Sequence, residues 1–311
     1  MNAQTRNDLV TIVVPVYNGG ARIAATLETL KDQTYQNWRC ILVNDGSTDN
    51  SLNEINRFIS RNPNLEIDLI STSNFGAGSA RNIGLLEANG GFVALLDQDD
   101  LWDRTKLERQ INFLNTNPEV IGVLCNFTIS KFNHSPNLLA SRFIRNKRLD
   151  RLAKGWLSLR GNGALLSSTF LFRRNEFTRN ILFDPQFTYV ADLDFFLTFI
   201  KSNKVAILKD PLVTYLQHGE QMHTGSKGLL TDYPKLLDKW DVRQFGLAKN
   251  NLLGNMYMLC MLLEVRKGNF RLGLEMLKNA FKVNRVSLLM LPLSVLKKRI
   301  IGLLAKVIER L

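Results

Sequence analysis

The stretch Phe92-Val-Ala-Leu-Leu-Asp-Gln-Asp-Asp-Leu-Trp102 decides how this chain folds. Its first five residues are continuously apolar, as in a strand buried on both faces of a largely parallel sheet. They run straight into Asp97, Asp99 and Asp100. A buried strand thus delivers three carboxylates to its own C-terminal end, the edge at which ligands bind in open α/β sheets. An Asp-x-Asp pair there offers hard oxygen ligands to Mg2+ or Mn2+, and such a cation would hold phosphates. The alternative is an acidic turn that caps the helix starting near Arg104. The surrounding chain has to decide between the two.

Upstream, LVTIVVPVYN from Leu9 predicts a buried strand stopped by Pro15, and Gly19-Gly20 turns the chain into a helix with Ile23, Leu27 and Leu30 on one face. Trp38-Arg-Cys-Ile-Leu-Val43 predicts a second strand, ending in Asn44-Asp-Gly-Ser-Thr-Asp49, where Thr48 or Asp49 caps the next helix. Residues 65–71 form a third, followed by Asn74-Phe-Gly-Ala-Gly-Ser-Ala-Arg-Asn82 and a helical stretch. Strands alternating with helices at this spacing predict an α/β fold with a mostly parallel, doubly wound sheet. Its strand-end loops gather at one edge and bring Asp45, Arg81, Asp97 and Asp99 together.

Downstream, residues 120–126 and 164–172 read as further strands, and the polar, basic span 132–160 as a variable loop or helix over the site. The spacing of Leu193, Phe196, Leu197 and Ile200 is helical, with Asp192 in the first turn, where the helix dipole favours a carboxylate. Residues 205–209 and 211–218 read as two short strands, the second leading to His218 and His223. After Gly228 the composition turns to Leu, Met, Lys and Arg with helical periodicity. The expected division is therefore a main domain over residues 1–227 and a basic helical region over 228–311.

The charge is distributed to match. Of the net +12, residues 228–311 carry fifteen Lys and Arg against six Asp and Glu, a net +9. The body is close to neutral, which argues against a nucleic-acid groove across it. Leu296, Ile300, Leu303, Leu304, Val307 and Leu311 line one face of a last basic helix, which suits an anionic membrane surface or packing on its own domain or a partner. The run 252–265 is too short to span a bilayer, which takes roughly 20 residues. The polar first eight residues suggest no secretory signal, and Cys40, Cys125 and Cys260, widely spaced, fit a reducing cytosol.

Six segments in a fixed order, VTIVVPVYN, ILVNDGSTDNS, NFGAGSARNIGL, FVALLDQDDLW, ADLDFF and the strand ending in His218, resemble the inverting family 2 glycosyltransferases of GT-A fold. The resemblance covers about residues 8–218. It implies that Pro15, Tyr17 and Asn18 border a nucleotide base and that Asp45 accepts a hydrogen bond from it, a uracil imide N–H suiting a carboxylate. It further implies a nucleotide-sugar site that includes Gly76, Arg81, Asp97 and Gln98, with Arg81 fixing the diphosphate and Asp97 at the ribose or the metal's water shell. Asp99, with His218, would hold Mn2+ or Mg2+, and Asp192 would be the catalytic base. Asp100 and Trp102 are acceptor candidates, Trp102 being equally suited to the core. Two positions depart from the family pattern: Ala191 stands where an acid usually precedes the base, and Leu216 where an Arg is common.

The implied partners are a nucleotide-sugar donor, most simply UDP-linked, and a glycan or lipid-linked acceptor, with the enzyme cytosolic and peripheral on the membrane. The non-enzymatic alternative is a degenerate scaffold that binds a nucleotide or a membrane. A dinucleotide-binding dehydrogenase fits poorly, because Gly76-Ala-Gly-Ser-Ala-Arg81 ends in Arg and follows the third strand; no GxxxxGK[ST] motif occurs.

Overall fold

The computed structural model describes residues 8–131, 140–142, 165–176, 178–218 and 226–284, with 153, 155 and 157–159. Two compact units divide the chain, the first of residues 1–149 and 162–219, the second of 150–161 and 220–311.

The first unit is built on one sheet. Strands β1 (Val10–Val16), β2 (Trp38–Asp45), β3 (Ile67–Thr72) and β4 (Phe92–Leu95) alternate with helices α1 (Ala21–Lys31), α2 (Ser51–Arg61) and α3 (Ala77–Glu87). Strands β1 and β4 are buried along their whole length, as their Val, Ile, Leu and Phe content requires, whereas β3 at the sheet edge keeps residues exposed. Each fully buried Val or Leu contributes about 1.5–3 kcal/mol. Helix α3 lies so close to β1 that a Cβ on Gly84 would meet Val13 Cγ1 at 2.4 Å. Glycine at that point sets how far Arg81, one turn earlier on α3, reaches over the strand ends.

Beyond β4 the chain forms β5 (Asp100–Trp102), α4 (Lys106–Thr116), β6 (Gly122–Lys131), β7 (Ala140–Arg142), a 3-10 turn at Ser167–Thr169, β8 (Phe170–Arg173), α5 (Ala191–Ser202) and β9 (Val205–Gln217). The sheet order is β3-β2-β1-β4-β8-β6-β9-β5, with β7 beside β6. Parallel pairs are β1 with β2 and β4, β2 with β3, and β6 with β9. Antiparallel pairs are β4 with β8, β5 with β9, and β6 with β7 and β8. The sheet is thus mixed rather than mostly parallel, because β8 enters reversed between β4 and β6.

Two expectations need correction. Residues 205–217 form one strand, not two: Pro211 lacks an N–H, and the β6–β9 register shifts around Asn126, whose Nδ2 donates to Lys209 O at 2.7 Å. Residues 165–169 are not strand, since β8 starts only at Phe170. The composition change at Gly228 falls inside helix α6 (Ser226–Lys239).

That second unit contains α6, α7 (Lys249–Arg266) and α8 (Phe270–Val283). Tyr233 is buried and donates its hydroxyl to Leu157 O, Asn255 Nδ2 donates to Ser158 O at 3.0 Å, and Glu264 accepts from Ser226 and Asn269. The first two bonds tie Leu157 and Ser158 to α6 and α7, and the Glu264 bonds tie α7 to the start of α6 and to Asn269 before α8. Among the described residues no helix is long and apolar enough to cross a membrane. The last basic stretch, residues 296–311, and His223 lie outside the described residues, as does most of 132–160.

Candidate active site

Strand order reverses between β1 and β4, since β1 lies between β2 on one side and β4 on the other. All four parallel strands end there in loops, and ligand sites in open α/β sheets occur at such a switch point. The site grows out of those loops.

At the end of β1, Tyr17 is held by a two-bond clamp. Its N–H donates to Gln98 Oε1 and its carbonyl accepts from Gln98 Nε2, both at 2.9 Å. Gln98 thus imitates a strand partner, and Tyr17 as a residue stays 44% exposed. Asn18 takes a left-handed φ of 49°, which Asn tolerates, and its Oδ1 accepts from Thr48 N at 2.9 Å. Pro15 is buried within β1.

At the end of β2, Asp45 is buried. Its Oδ1 accepts from Phe75 N at 2.7 Å and from Thr72 Oγ1 at 2.9 Å, and its Oδ2 accepts from Gly76 N at 2.7 Å. Asp45 therefore shapes the β3–α3 loop first. Only lone-pair capacity on Oδ2 remains for a ligand. Gly76 has φ 92°, with open space around its Cβ position, so backbone conformation alone selects glycine there.

Arg81 is the cation of the site. Its Nη2 lies 2.6 Å from Asp97 Oδ1 and its Nη1 3.2 Å from Asp192 Oδ1, while its guanidinium sits 5.1 Å from the centroid of the Phe183 ring. Burial opposes the Arg81 charge, but Asp192 and Asp97 together outweigh it and raise its pKa. The guanidinium contacts these two carboxylates through Nη2 and Nη1, and its buried Nε has no hydrogen-bond partner. Its neighbour Asn82 fixes Phe183 by accepting from its N–H at 2.7 Å and donating to its carbonyl at 2.8 Å.

The turn after β4 is pinned from the 167–169 segment. Ser168 Oγ accepts from Asp97 N at 3.0 Å, and Ser168 O accepts from Trp102 Nε1 at 2.9 Å. Trp102 is buried, with Lys106 Nζ 3.8 Å from its ring centroid, so it belongs to the core rather than to an acceptor surface. Asp100 is also buried, and neither of its oxygens has a hydrogen-bond partner of good geometry. Burial, then Asp97 and Asp99, push its carboxyl well above the usual range. It too is removed from acceptor contact.

Because Asp100 pairs with Tyr215 across β5 and β9, Asp99 meets the end of β9. His218 Nε2 lies 2.7 Å from Asp99 Oδ2. Burial and Asp97 raise the Asp99 pKa, partly offset by His218.

Asp192, in the first turn of α5, accepts from Ser167 Oγ at 2.9 Å and pairs with Arg81 through the same oxygen, Oδ1. Its predecessor Ala191 is buried, where a second carboxylate would be desolvated. Ser167, Ser168, Asn82 and Phe183 escape sequence reading. Their partners lie 25 to 101 positions away, and a Ser-Ser-Thr run carries no signal of its own.

Four carboxylates, Asp97, Asp99, Asp100 and Asp192, thus gather around Arg81 and His218. Among the described residues no three His, Cys, Asp or Glu side chains converge to hold a metal unaided. The residues fit a Mg2+-type or Mn2+-type cation of the kind bound through one or two protein ligands plus substrate phosphates and water. The upward push that Asp97 and Asp99 exert on the buried Asp100 carboxyl marks the crowding of negative charge that such a cation would offset.

A carboxylate-rich site at the switch point of an α/β sheet defines the class of molecule, a ligand-binding α/β protein with acidic chemistry. The chain belongs to glycosyl transferase family 2, whose model matches residues 11–181. It is 38% identical over 109 residues to an uncharacterized glycosyltransferase of Haemophilus influenzae, covering 35% of this chain and 43% of that protein. It is 27% identical over 259 residues to the Escherichia coli UDP-Glc:alpha-D-GlcNAc-diphosphoundecaprenol beta-1,3-glucosyltransferase WfgD, covering 81% of this chain and 90% of that one. The fold is that of S. aureus TarS 1–349, solved in complex with UDP-GlcNAc, with a TM-score of 0.59 and 17% identity over 88% of this chain and 91% of that chain. The fold is therefore of GT-A type.

Proposed function

We propose that the protein is an inverting glycosyltransferase that moves a sugar from a nucleoside-diphosphate donor, UDP-linked, to a hydroxyl of a glycan or lipid-linked acceptor in cell-surface polysaccharide synthesis. The observation that carries this reading is Arg81 holding Asp97 and Asp192 on one guanidinium, which sets a donor-side and a base-side carboxylate in one site. WfgD, a relative over most of the chain, is named for a UDP-Glc donor and a diphosphoundecaprenol-linked acceptor.

Exposed Tyr17 offers its ring as a stacking face to the base, and Asn18 and the remaining Oδ2 capacity of Asp45 offer polar contacts. Asp97 would serve the ribose or the water shell of the cation, and Asp99 with His218 would hold the cation itself. When bound, the cation supplies positive charge to the diphosphate as it departs. Asp192 takes the acceptor proton as the new C–O bond forms; one displacement inverts the anomeric carbon, with no covalent intermediate on the protein. The basic region 228–311 supports a peripheral attachment to anionic lipid on the cytoplasmic face.

The test is release of nucleoside diphosphate from UDP-glucose and UDP-N-acetylglucosamine in the presence of Mn2+. Turnover lost in Asp192→Asn, with UDP binding kept, supports the reading. Nucleotide binding without any turnover points instead to the degenerate scaffold. Sedimentation with anionic vesicles tests the attachment, and binding that ignores the fraction of anionic lipid would contradict it.

A further inference from the structure

Asp192 is approached from two directions, and both approaches end on the same atom. Arg81 Nη1 lies 3.2 Å from Oδ1, and Ser167 Oγ donates to Oδ1 at 2.9 Å. Ser167 is itself buried, at 6% exposure, and the next two residues are locked: Ser168 Oγ by Asp97 N, and Thr169 O by Gln110 Nε2 at 2.9 Å. The hydroxyl is thus presented by a fixed turn rather than by a free loop. The Ser167 hydrogen bond and the Arg81 ion-pair contact both fall on Oδ1, so the acceptor capacity of Oδ2 is spent by neither. They also fix the plane of the carboxylate, which a single bond would leave free to rotate.

We infer that Ser167 is the positioning residue for the base: with Arg81 it holds Oδ1 of Asp192, so that Oδ2 is the atom that receives the proton. This deepens the proposed function and rests on it. In the step so assigned, the acceptor oxygen forms its bond to the anomeric carbon and the bond from that carbon to the donor phosphate oxygen breaks. The leaving nucleoside diphosphate keeps the electron pair, and the acceptor proton passes to Asp192 Oδ2. Ser167 transfers no proton.

The role separates from mere structural support in its kinetics. Donor release from UDP-glucose and UDP-N-acetylglucosamine, with water as acceptor and Mn2+ present, is followed in wild type, Ser167→Ala and Ser167→Thr, with UDP affinity measured by calorimetry. The expected result is a fall in kcat of about tenfold or more in Ser167→Ala, with donor KM and UDP affinity within about twofold of wild type. Ser167→Thr, which keeps the hydroxyl, restores most of the rate. A Ser167→Ala rate within about twofold of wild type overturns the assignment, as does a joint loss of kcat and UDP affinity that threonine does not repair. A wild-type protein that binds UDP yet turns over neither donor fails at an earlier point. That result overturns the enzymatic reading and the role of Ser167 with it.

Discussion

His218 Nε2 lies 2.7 Å from Asp99 Oδ2, although 119 positions separate the two residues. The contact exists because Asp100 pairs with Tyr215 across β5 and β9, which brings the turn after β4 beside the end of β9. If the pair holds a cation together, both residues should matter for metal-supported nucleotide binding. His218→Ala is expected to weaken UDP binding in Mn2+ by about tenfold or more, with little change in EDTA. Equal loss in both conditions would mean that His218 serves only to brace Asp99.

Arg81 makes a different prediction, because it is buried between two carboxylates. Arg81→Met leaves Asp97 and Asp192 without their shared cation and is expected to lower unfolding free energy by about 3–5 kcal/mol. Arg81→Lys should recover only part, since one ammonium cannot reproduce two planar contacts. Urea unfolding of the three proteins decides it, and an Arg81→Met midpoint at wild-type value would contradict the bridging role.

Lys106 gives the fold a pH signature away from the site. It is fully buried, donates to Gln110 Oε1 at 2.8 Å and faces the Trp102 ring, and burial lowers its pKa to about 8. Between pH 8 and about 10.5 the unfolded chain keeps this proton and the folded chain releases it, so this lysine's destabilising contribution is full below pH 8 and fades as pH rises through that window. Its size at neutral pH is on the order of 3 kcal/mol, reduced by about 1 kcal/mol for the Gln110 oxygen left unpaired if the amine is removed. Lys106→Met should therefore be the more stable protein at pH 7 by about 1–2 kcal/mol. The gap should narrow by pH 10. A gap independent of pH would contradict the buried ammonium.

Gln98→Ala removes both bonds that fix Tyr17. A stability loss of about 1–2 kcal/mol is expected, together with weaker UDP binding as the Tyr17 ring loses its setting. Calorimetry alongside a thermal melt separates the two effects. Unchanged affinity would place Tyr17 outside the base site.

Much of the fold was legible because β1, β2 and β4 are continuous apolar runs that end in polar loops, a pattern only burial on both faces explains. The same logic anticipated Arg81, Asp97 and Asp99 near one another, while Asp45 binds Thr72 at the end of β3 and Phe75 and Gly76 in the loop after it. It failed where structure depends on distant pairing. Pro211 looked like a strand break because the bulge at Asn126 that accommodates it lies across the sheet. Trp102 stayed ambiguous because its burial depends on Ser168 and Lys106. The ion pairs of Arg81 with Asp97 and Asp192 were not legible, because a sequence shows the charge but not which carboxylates the fold sets beside it. Ser167 left no trace at all, its meaning coming entirely from Asp192 in the next helix.

The most direct test of the account is isothermal titration of UDP, GDP and dTDP with and without Mn2+, comparing wild type with Asp99→Ala and Asp192→Asn. The account predicts metal-dependent binding of UDP that is abolished in Asp99→Ala and retained in Asp192→Asn. Absence of binding by any of the three nucleotides, with or without metal, would contradict it.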